Sequence, residues 1–436
     1  MSRRLDAVRM DAICLRATRA RLLIALCLLC SGFAALGGQV VPDSRGALTN
    51  PALLGVSRRS FFEIGLQTDL AAYNNAFPLG HIFQQTWTID LDDVAARLRG
   101  RDLRAGAAAS ARGHVVVHLR GVCAGVYLAA ISANEMVVPY GFVELLAEGN
   151  VADRSGRGDA VLRSGYEYGA SVSADYRRWT FGVNLAQHVP VMHSGEGGFS
   201  FEVITTDSGL SADAVLDVAV FSAIDLGAGD NGGDNGGGLD FEAGLSNAAL
   251  KADLGVVRRD HADRPIWGAS LTNLTIVRAR TPYEYRLTGT YSASVEEAIQ
   301  TLIDDPDADP LTLAGDEPRL TFIGASDERM ALAPGISGFY RFELPWVDII
   351  PHGELVFDRK LGAVNPGVTI AGNRFPLNLI YLSFARRRPV WRASLGLSVP
   401  LRVAELSVRL EGASPRMIGA FAPDGLSAAM QMRFGY

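Results

Sequence analysis

The 436-residue chain has only two lysines (Lys251, Lys360) and four cysteines, and charged residues make up 20% of it. So little charge beside a 48% apolar content excludes a disordered chain. A formal net charge of −6 excludes the basic footprint of a nucleic-acid binder, and no nucleic-acid partner is expected. Beyond Gly38 no uncharged apolar stretch approaches the roughly 18 residues of a membrane-spanning helix; the longest runs from Gly121 to Ala133. An α-helical membrane protein is thereby excluded. A β-barrel is not, because its strands need only about 9–11 residues with apolar side chains at alternate positions. A Gly-x-Ser-x-Gly elbow, a phosphate loop and a His-Glu-x-x-His pattern are all missing. No catalytic residue and no cofactor are assigned, and the chain reads as a non-enzyme.

The N-terminus carries a targeting segment. Arg3, Arg4, Arg9, Arg16, Arg19 and Arg21 flank an uncharged run from Leu22 to Leu36, closed by Ala35-Leu36-Gly37. That order is a secretory signal peptide over residues 1–37. Cleavage would take six arginines and two aspartates from 41 basic and 47 acidic residues, leaving a mature net charge of −10. It would also remove Cys14, Cys27 and Cys30, so that Cys123 remains alone and no intrachain disulfide can form.

The 47 glycines fall mostly between short alternating segments, which points to an all-β architecture. From Tyr166 one face reads Tyr166, Tyr168, Ala170, Val172, Ala174, and the other Glu167, Gly169, Ser171, Ser173, Asp175. After a tight connection, Trp179, Phe181, Val183 and Leu185 alternate with Thr180, Gly182, Asn184 and Ala186. This is a hairpin with an apolar outer face and a small or polar inner one. Segments 252–257 and 266–274, 379–385 and 390–399, and the shorter 338–344 and 353–358 follow the same rule. A soluble β-sandwich also alternates. Aromatics at strand ends (Tyr166, Trp179, Trp267, Tyr381, Trp391) suit the interfacial girdles of a membrane barrel instead. Counted generously, 14 to 16 such segments point to a transmembrane outer-membrane β-barrel of antiparallel strands.

Helical spacing follows Asp90 (through Val94, Ala95 and Leu98), residues 143–148, and Ser294 (Val295, Ala298, Ile299, Leu302). Helical or loop insertions are therefore expected near 90–104, 139–149, 227–238 and 294–310. The glycine-rich stretch 227–238 is a flexible loop; Asp230 and Asp234 lack the bidentate acid that calcium would require. His114 and His118 share a face, with no carboxylate or third ligand near in sequence, so no metal site is assigned. Arg386-Arg387-Arg388-Pro389 suits either lipid phosphates or a plain turn at the membrane rim.

Two further patterns carry a resemblance. At the end of the chain Met430, Met432, Phe434 and Tyr436 share a face against Gln431, Arg433 and Gly435. This resembles the C-terminal strand of bacterial outer-membrane barrels, and implies that Met432, Phe434 and Tyr436 form the signal read by the barrel-assembly machinery. Ala47-Leu48-Thr49-Asn50-Pro51-Ala52 is similar to the Asn-Pro-Ala segment near the mature N-terminus of FadL-type long-chain fatty-acid transporters. Where that family usually continues with a small residue and then Met or Leu, this chain has Leu53-Leu54-Gly55. Trp267 to Leu274 and Leu145 to Asn150 also resemble uncharacterised outer-membrane barrels of diderm bacteria. The FadL resemblance implies a 14-stranded barrel over 59–436, a hatch at 38–58 containing Asn50, Pro51 and Ala52, and hydrophobic solutes such as long-chain fatty acids passing through the lumen. It implies no ligand-binding residue. A porin-like channel, or a surface adhesin without a fatty-acid substrate, is the alternative. Outer-membrane lipids are expected as surroundings in every case.

Overall fold

The computed structural model describes residues 50–56, 61–76, 91–148, 154–206, 209–227, 241–294, 314–315, 318–358, 361–374, 379–387, 390–401, 403–414, 417–421 and 425–435. The signal segment, most of the 38–58 stretch, Asp90, nearly all of the glycine-rich loop, the helix expected after Ser294, the acidic 304–309 segment and Tyr436 lie outside them.

The strands are β1 (Phe62–Asn74), β2 (Leu103–Leu119), β3 (Val122–Val138), β4 (Arg154–Tyr176), β5 (Trp179–Thr206), β6 (Gly209–Ser222), β7 (Ala249–Arg259), β8 (Pro265–Val277) and β9 (Tyr283–Ser294). They continue with β10 (Arg319–Ala325), β11 (Gly335–Tyr340), β12 (Val347–Asp358), β13 (Leu361–Gly372), β14 (Ile380–Arg387), β15 (Val390–Pro400), β16 (Ala404–Ser414) and β17 (Gly425–Gly435). Antiparallel pairing runs β1–β2–β3–β4–β5–β7–β8–β11–β12–β13–β14–β15–β16–β17 and returns to β1. The ring closes through 14 strands, the number expected. Closure leaves no unpaired edge, which is what permits a sheet to cross lipid.

The two faces of this wall are inverted relative to a soluble protein. Along β1 the side chains of Glu63 and Asp69 are buried, while Leu66 and Leu70 are 55% and 59% exposed. On β4 and β5 Glu167, Ser173, Thr180 and Asn184 are buried and Val172, Phe181, Val183 and Leu185 exposed. A sandwich would bury the leucines and solvate the acids. Here the apolar band faces outward, and only lipid makes that favourable. The same parity holds in β17, where Phe434 and Met430 point out and Arg433 and Gln431 point in.

Two aromatics depart from the expected girdle: Tyr166 lies in the middle of β4 and packs on Val189, Ala223 and Ile224, and Tyr381 turns inward. Tyr381 is 5% exposed and faces the lumen, where its ring fills the space over Gly396. It shares strand parity with inward-facing Ser383, and that parity overrides its position near a strand end. Trp179 and Trp267 do form an outward pair at the rim, with ring centroids 5.3 Å apart.

Two tight turns mark one end of the barrel. Arg120-Gly121 and Arg177-Arg178 make two-residue turns, with Gly121 (φ 81°) and Arg177 (φ 56°) in the left-handed region that such turns demand. The longer connections lie at the other end, the extracellular one in barrels of this kind. There α1 (Leu91–Leu98) packs on α2 (Tyr140–Glu148) through Val94, Ala95, Leu98 and Val143. The first helix is therefore as expected, but β2 begins at Leu103, inside the range assigned to an insertion. The second starts at Tyr140, three residues before the predicted run.

The wall forks at β5. Its first part, up to His188, pairs with β7; beyond His193 it pairs with β6, which pairs in turn with β9 and β9 with β10. Register shifts near Ser164 in β4 and Gly197 in β5 (φ 139°) bend the sheet at this point. The resulting extension encloses Val218, Val220 and Tyr285, all fully buried. Fully buried Val189, Ala223 and Ile224 fill the fork itself, beside α3 (Phe241–Ser246).

Candidate functional site

The short 3-10 turn Pro51–Gly55 lies inside the barrel, and every residue of it is buried. Its local chemistry is simple. Asn50 is the N-cap, in extended conformation, and its side-chain oxygen accepts from the Ala52 N–H at 3.1 Å. Pro51 follows in the first helical turn, where its missing N–H costs nothing. The Asn50 amide then donates outward to two wall carbonyls, Val256 O at 3.3 Å and Ala269 O at 3.2 Å.

The wall is shaped to receive this turn. Gly182 of β5 stands opposite Gly255 of β7 in the register. A Cβ on Gly182 would meet backbone atoms of Pro51 and Ala52, and one on Gly255 would come 2.1 Å from the Asn50 oxygen. Ala52 and Leu53 pack on Val257, while Leu54 packs on Val116 and Cys123. Asn50, Pro51 and Ala52, far from the barrel strands in sequence, thus meet the inner faces of β5, β7 and β8.

A buried polar network adjoins the turn. Glu167 accepts from the Tyr127 hydroxyl at 2.6 Å and pairs with Lys251 at 2.9 Å. Lys251 also donates to Asn273 at 3.0 Å and lies 3.7 Å from Asp253. Asn184 bridges Asp253 (2.7 Å) and the Tyr127 oxygen (3.0 Å), and the Arg112 guanidinium sits 5.1 Å from the Tyr127 ring centre. Two cations (Arg112, Lys251) and two carboxylates (Glu167, Asp253) drawn from β2, β4 and β7 neutralise one another here. Buried charges persist only in such pairs.

A second cluster lines the opposite arc. His114 contacts Glu63 at 3.1 Å, with His118 at 4.0 Å and Arg433 at 3.7 Å from the same carboxylate. Arg433 also pairs with Glu405, Arg409 with Asp69 at 2.6 Å, and Arg392 with Glu411 at 2.7 Å. Sequence spacing gave the two histidines no carboxylate; the β1–β2 pairing supplies it. Among the described residues no group of three or more His, Cys, Asp or Glu is arranged to hold a metal ion.

These inner faces are polar, and the pairs on them are packed and shielded from solvent. Sequence reasoning placed Glu167 and Asn184 on an inner face but missed the network, since its members share no motif. One signal was available: a lone lysine, Lys251, within an alternating strand.

A closed 14-stranded antiparallel wall, apolar outside and ion-paired within, makes this chain an outer-membrane β-barrel. No family model and no curated protein sequence matches it. Among solved structures it is similar to the P. putida toluene transporter TodX, with 8% identity over 90% of this chain and 94% of that one and a TM-score of 0.46. It is also similar to the Ralstonia pickettii toluene transporter TbuX (8% identity, 93% and 99% covered, TM-score 0.30). A third likeness is to the translocator domain of the autotransporter NalP from Neisseria meningitidis (8% identity, 90% and 94% covered, TM-score 0.34).

Proposed function

We propose that this barrel is an outer-membrane transporter for hydrophobic small molecules of the long-chain fatty-acid type, with residues 38–58 acting as a hatch. The observation that carries the reading is the seat of Pro51–Gly55 on the Gly182–Gly255 notch inside the lumen. A structural or adhesive barrel has no need of a segment fitted into its own interior; a gated conduit does.

The solute class follows from two features. The charges of the inner wall are packed in shielded pairs, unlike the solvated ones that line the water-filled path of a general porin. The fork beside β5, filled by Val189, Ala223 and Ile224, provides an apolar seam in the wall where a lipid-soluble molecule can enter or leave sideways. The Asn50-Pro51-Ala52 resemblance points the same way.

The test is equilibrium binding of a fluorescent long-chain fatty acid to the refolded chain from residue 38, with unlabelled fatty acid as competitor. Saturable, competed binding that weakens when residues 38–58 are deleted is the expected result. No binding by a heat-modifiable, correctly folded barrel overturns the substrate class.

A further inference from the structure

The outer face of the barrel carries a groove that the transport reading leaves unused. The connection between β16 and β17 does not rise away from the rim. Its 3-10 turn Ile418–Phe421 bends back over the outer wall and packs against β15 and β16. Beneath it Leu382, Leu395, Leu410, Phe384, Phe421 and Leu426 line a cavity of about 430 Å³. That volume lies within the range of ordinary ligand sites. Leu382, Leu395, Leu410, Phe421 and Leu426 are exposed on the lipid-facing side, where acyl chains are the surrounding medium.

An aromatic column closes the extracellular end. Phe421 stacks on Phe384 (centroids 5.7 Å, planes 6° apart), and Phe384 stacks on Trp391 (5.3 Å, 12°). The Arg386 guanidinium lies 5.8 Å from the Trp391 ring centre. Arg386 shares outward parity with Leu382 and Phe384, and among the described residues it has no acidic partner. Other wall arginines, such as Arg392, Arg409 and Arg433, point inward to a carboxylate. An unpaired cation on a lipid-facing wall is unfavourable unless its surroundings supply the anion. At the extracellular end that anion belongs to the outer leaflet.

We propose that this groove is a binding site for a phosphorylated outer-leaflet lipid, with one acyl chain under the Ile418–Phe421 turn and a phosphate on Arg386. The guanidinium fork suits a phosphate geometrically, and it is fixed in place by Trp391. The site is separate from the lumen and does not depend on what the barrel transports.

The experiment is native mass spectrometry of the full-length barrel in detergent, with four probes: diphosphorylated lipid A, the same lipid with its phosphates removed, phosphatidylethanolamine, and inorganic phosphate. The wild type is expected to retain the diphosphorylated lipid about tenfold better than either other lipid, and to stay bare with phosphate alone. Arg386→Gln should abolish the preference for phosphate, and Leu395→Trp, which fills the groove, should weaken both forms of lipid A. Leu70→Trp, on the lipid-facing side of β1, should change nothing. Heat-modifiable mobility verifies that each variant is folded. Equal retention of all three lipids by the wild type, or unchanged preference in folded Arg386→Gln, overturns the phosphate site. Unchanged binding in folded Leu395→Trp overturns the groove as the seat of the chain.

Discussion

A Cβ on Gly182 would stand 2.2 Å from the backbone nitrogen of Ala52, so wall and lumenal turn meet with no room for a methyl group. Because both contacting groups are backbone, neither can turn aside as a side chain would. Gly182→Ala is therefore expected to unseat Pro51–Gly55. Cys123 reports on this directly, being 1% exposed and covered by Leu54. Maleimide labelling of Cys123 should accelerate about tenfold or more in the variant, as local opening becomes cheaper. An unchanged rate in a folded variant would show that the wall yields instead.

Asn50 fastens the same turn from the other side, capping it and reaching two carbonyls in β7 and β8. Asn50→Ala removes three hydrogen bonds and should weaken the seating by about 1–3 kcal/mol. Hydrogen exchange at the Ala52 and Leu53 amides should speed up, while exchange in β1 and β17 stays as in the wild type.

Lys251 and Glu167 form a pair at 2.9 Å with side chains 8% and 5% exposed. Glu167→Gln leaves the ammonium short of one countercharge in a dry interior. The expected loss is about 3 kcal/mol or more, read as a lower denaturant midpoint. Adding Lys251→Met to that variant should recover a large part of it, since the stranded charge is gone. Simple additivity of the two changes would contradict the coupling.

Asp260 sits in the turn between β7 and β8, outside the membrane-spanning wall. Burial alone would raise its carboxyl, but the N–H groups of Arg264 and Ala262 and the Arg264 guanidinium together hold it below the ordinary carboxylate value. A depressed folded pKa means that its stabilising contribution is present above the unfolded value of 3.8 and disappears as pH falls through the lower folded value. Asp260→Asn should therefore narrow the gap in stability between pH 7 and strongly acidic pH. Identical acid-unfolding curves for the two proteins would rule this out.

The hairpin of β4 and β5 shows how much of the fold was legible. Its period of two fixed which side chains face lipid, because every outward position must be apolar and each strand reports its own parity locally. The strand total followed from the same reading together with the FadL resemblance. Tyr381 shows the limit of grouping by position: its neighbours Leu382 and Ser383 already gave the parity that sends its ring inward, and being near a strand end did not alter it. Among the site residues, Asn50, Pro51 and Ala52 were visible as a motif, whereas their seat at Gly182 and Gly255 was not.

What the sequence determined by itself was the barrel class and the two faces of each strand. These depend on local pattern, and local pattern is enforced by the solvent on either side of the wall. Tertiary structure alone decided that Glu167 meets Lys251, that Glu63 meets His114, that β5 divides its pairing between β7 and β6, and that Arg386 meets no acid among the described residues. Those outcomes depend on register and ring closure, which bring together strands distant in sequence, and no spacing within one strand encodes which partner a side chain will find.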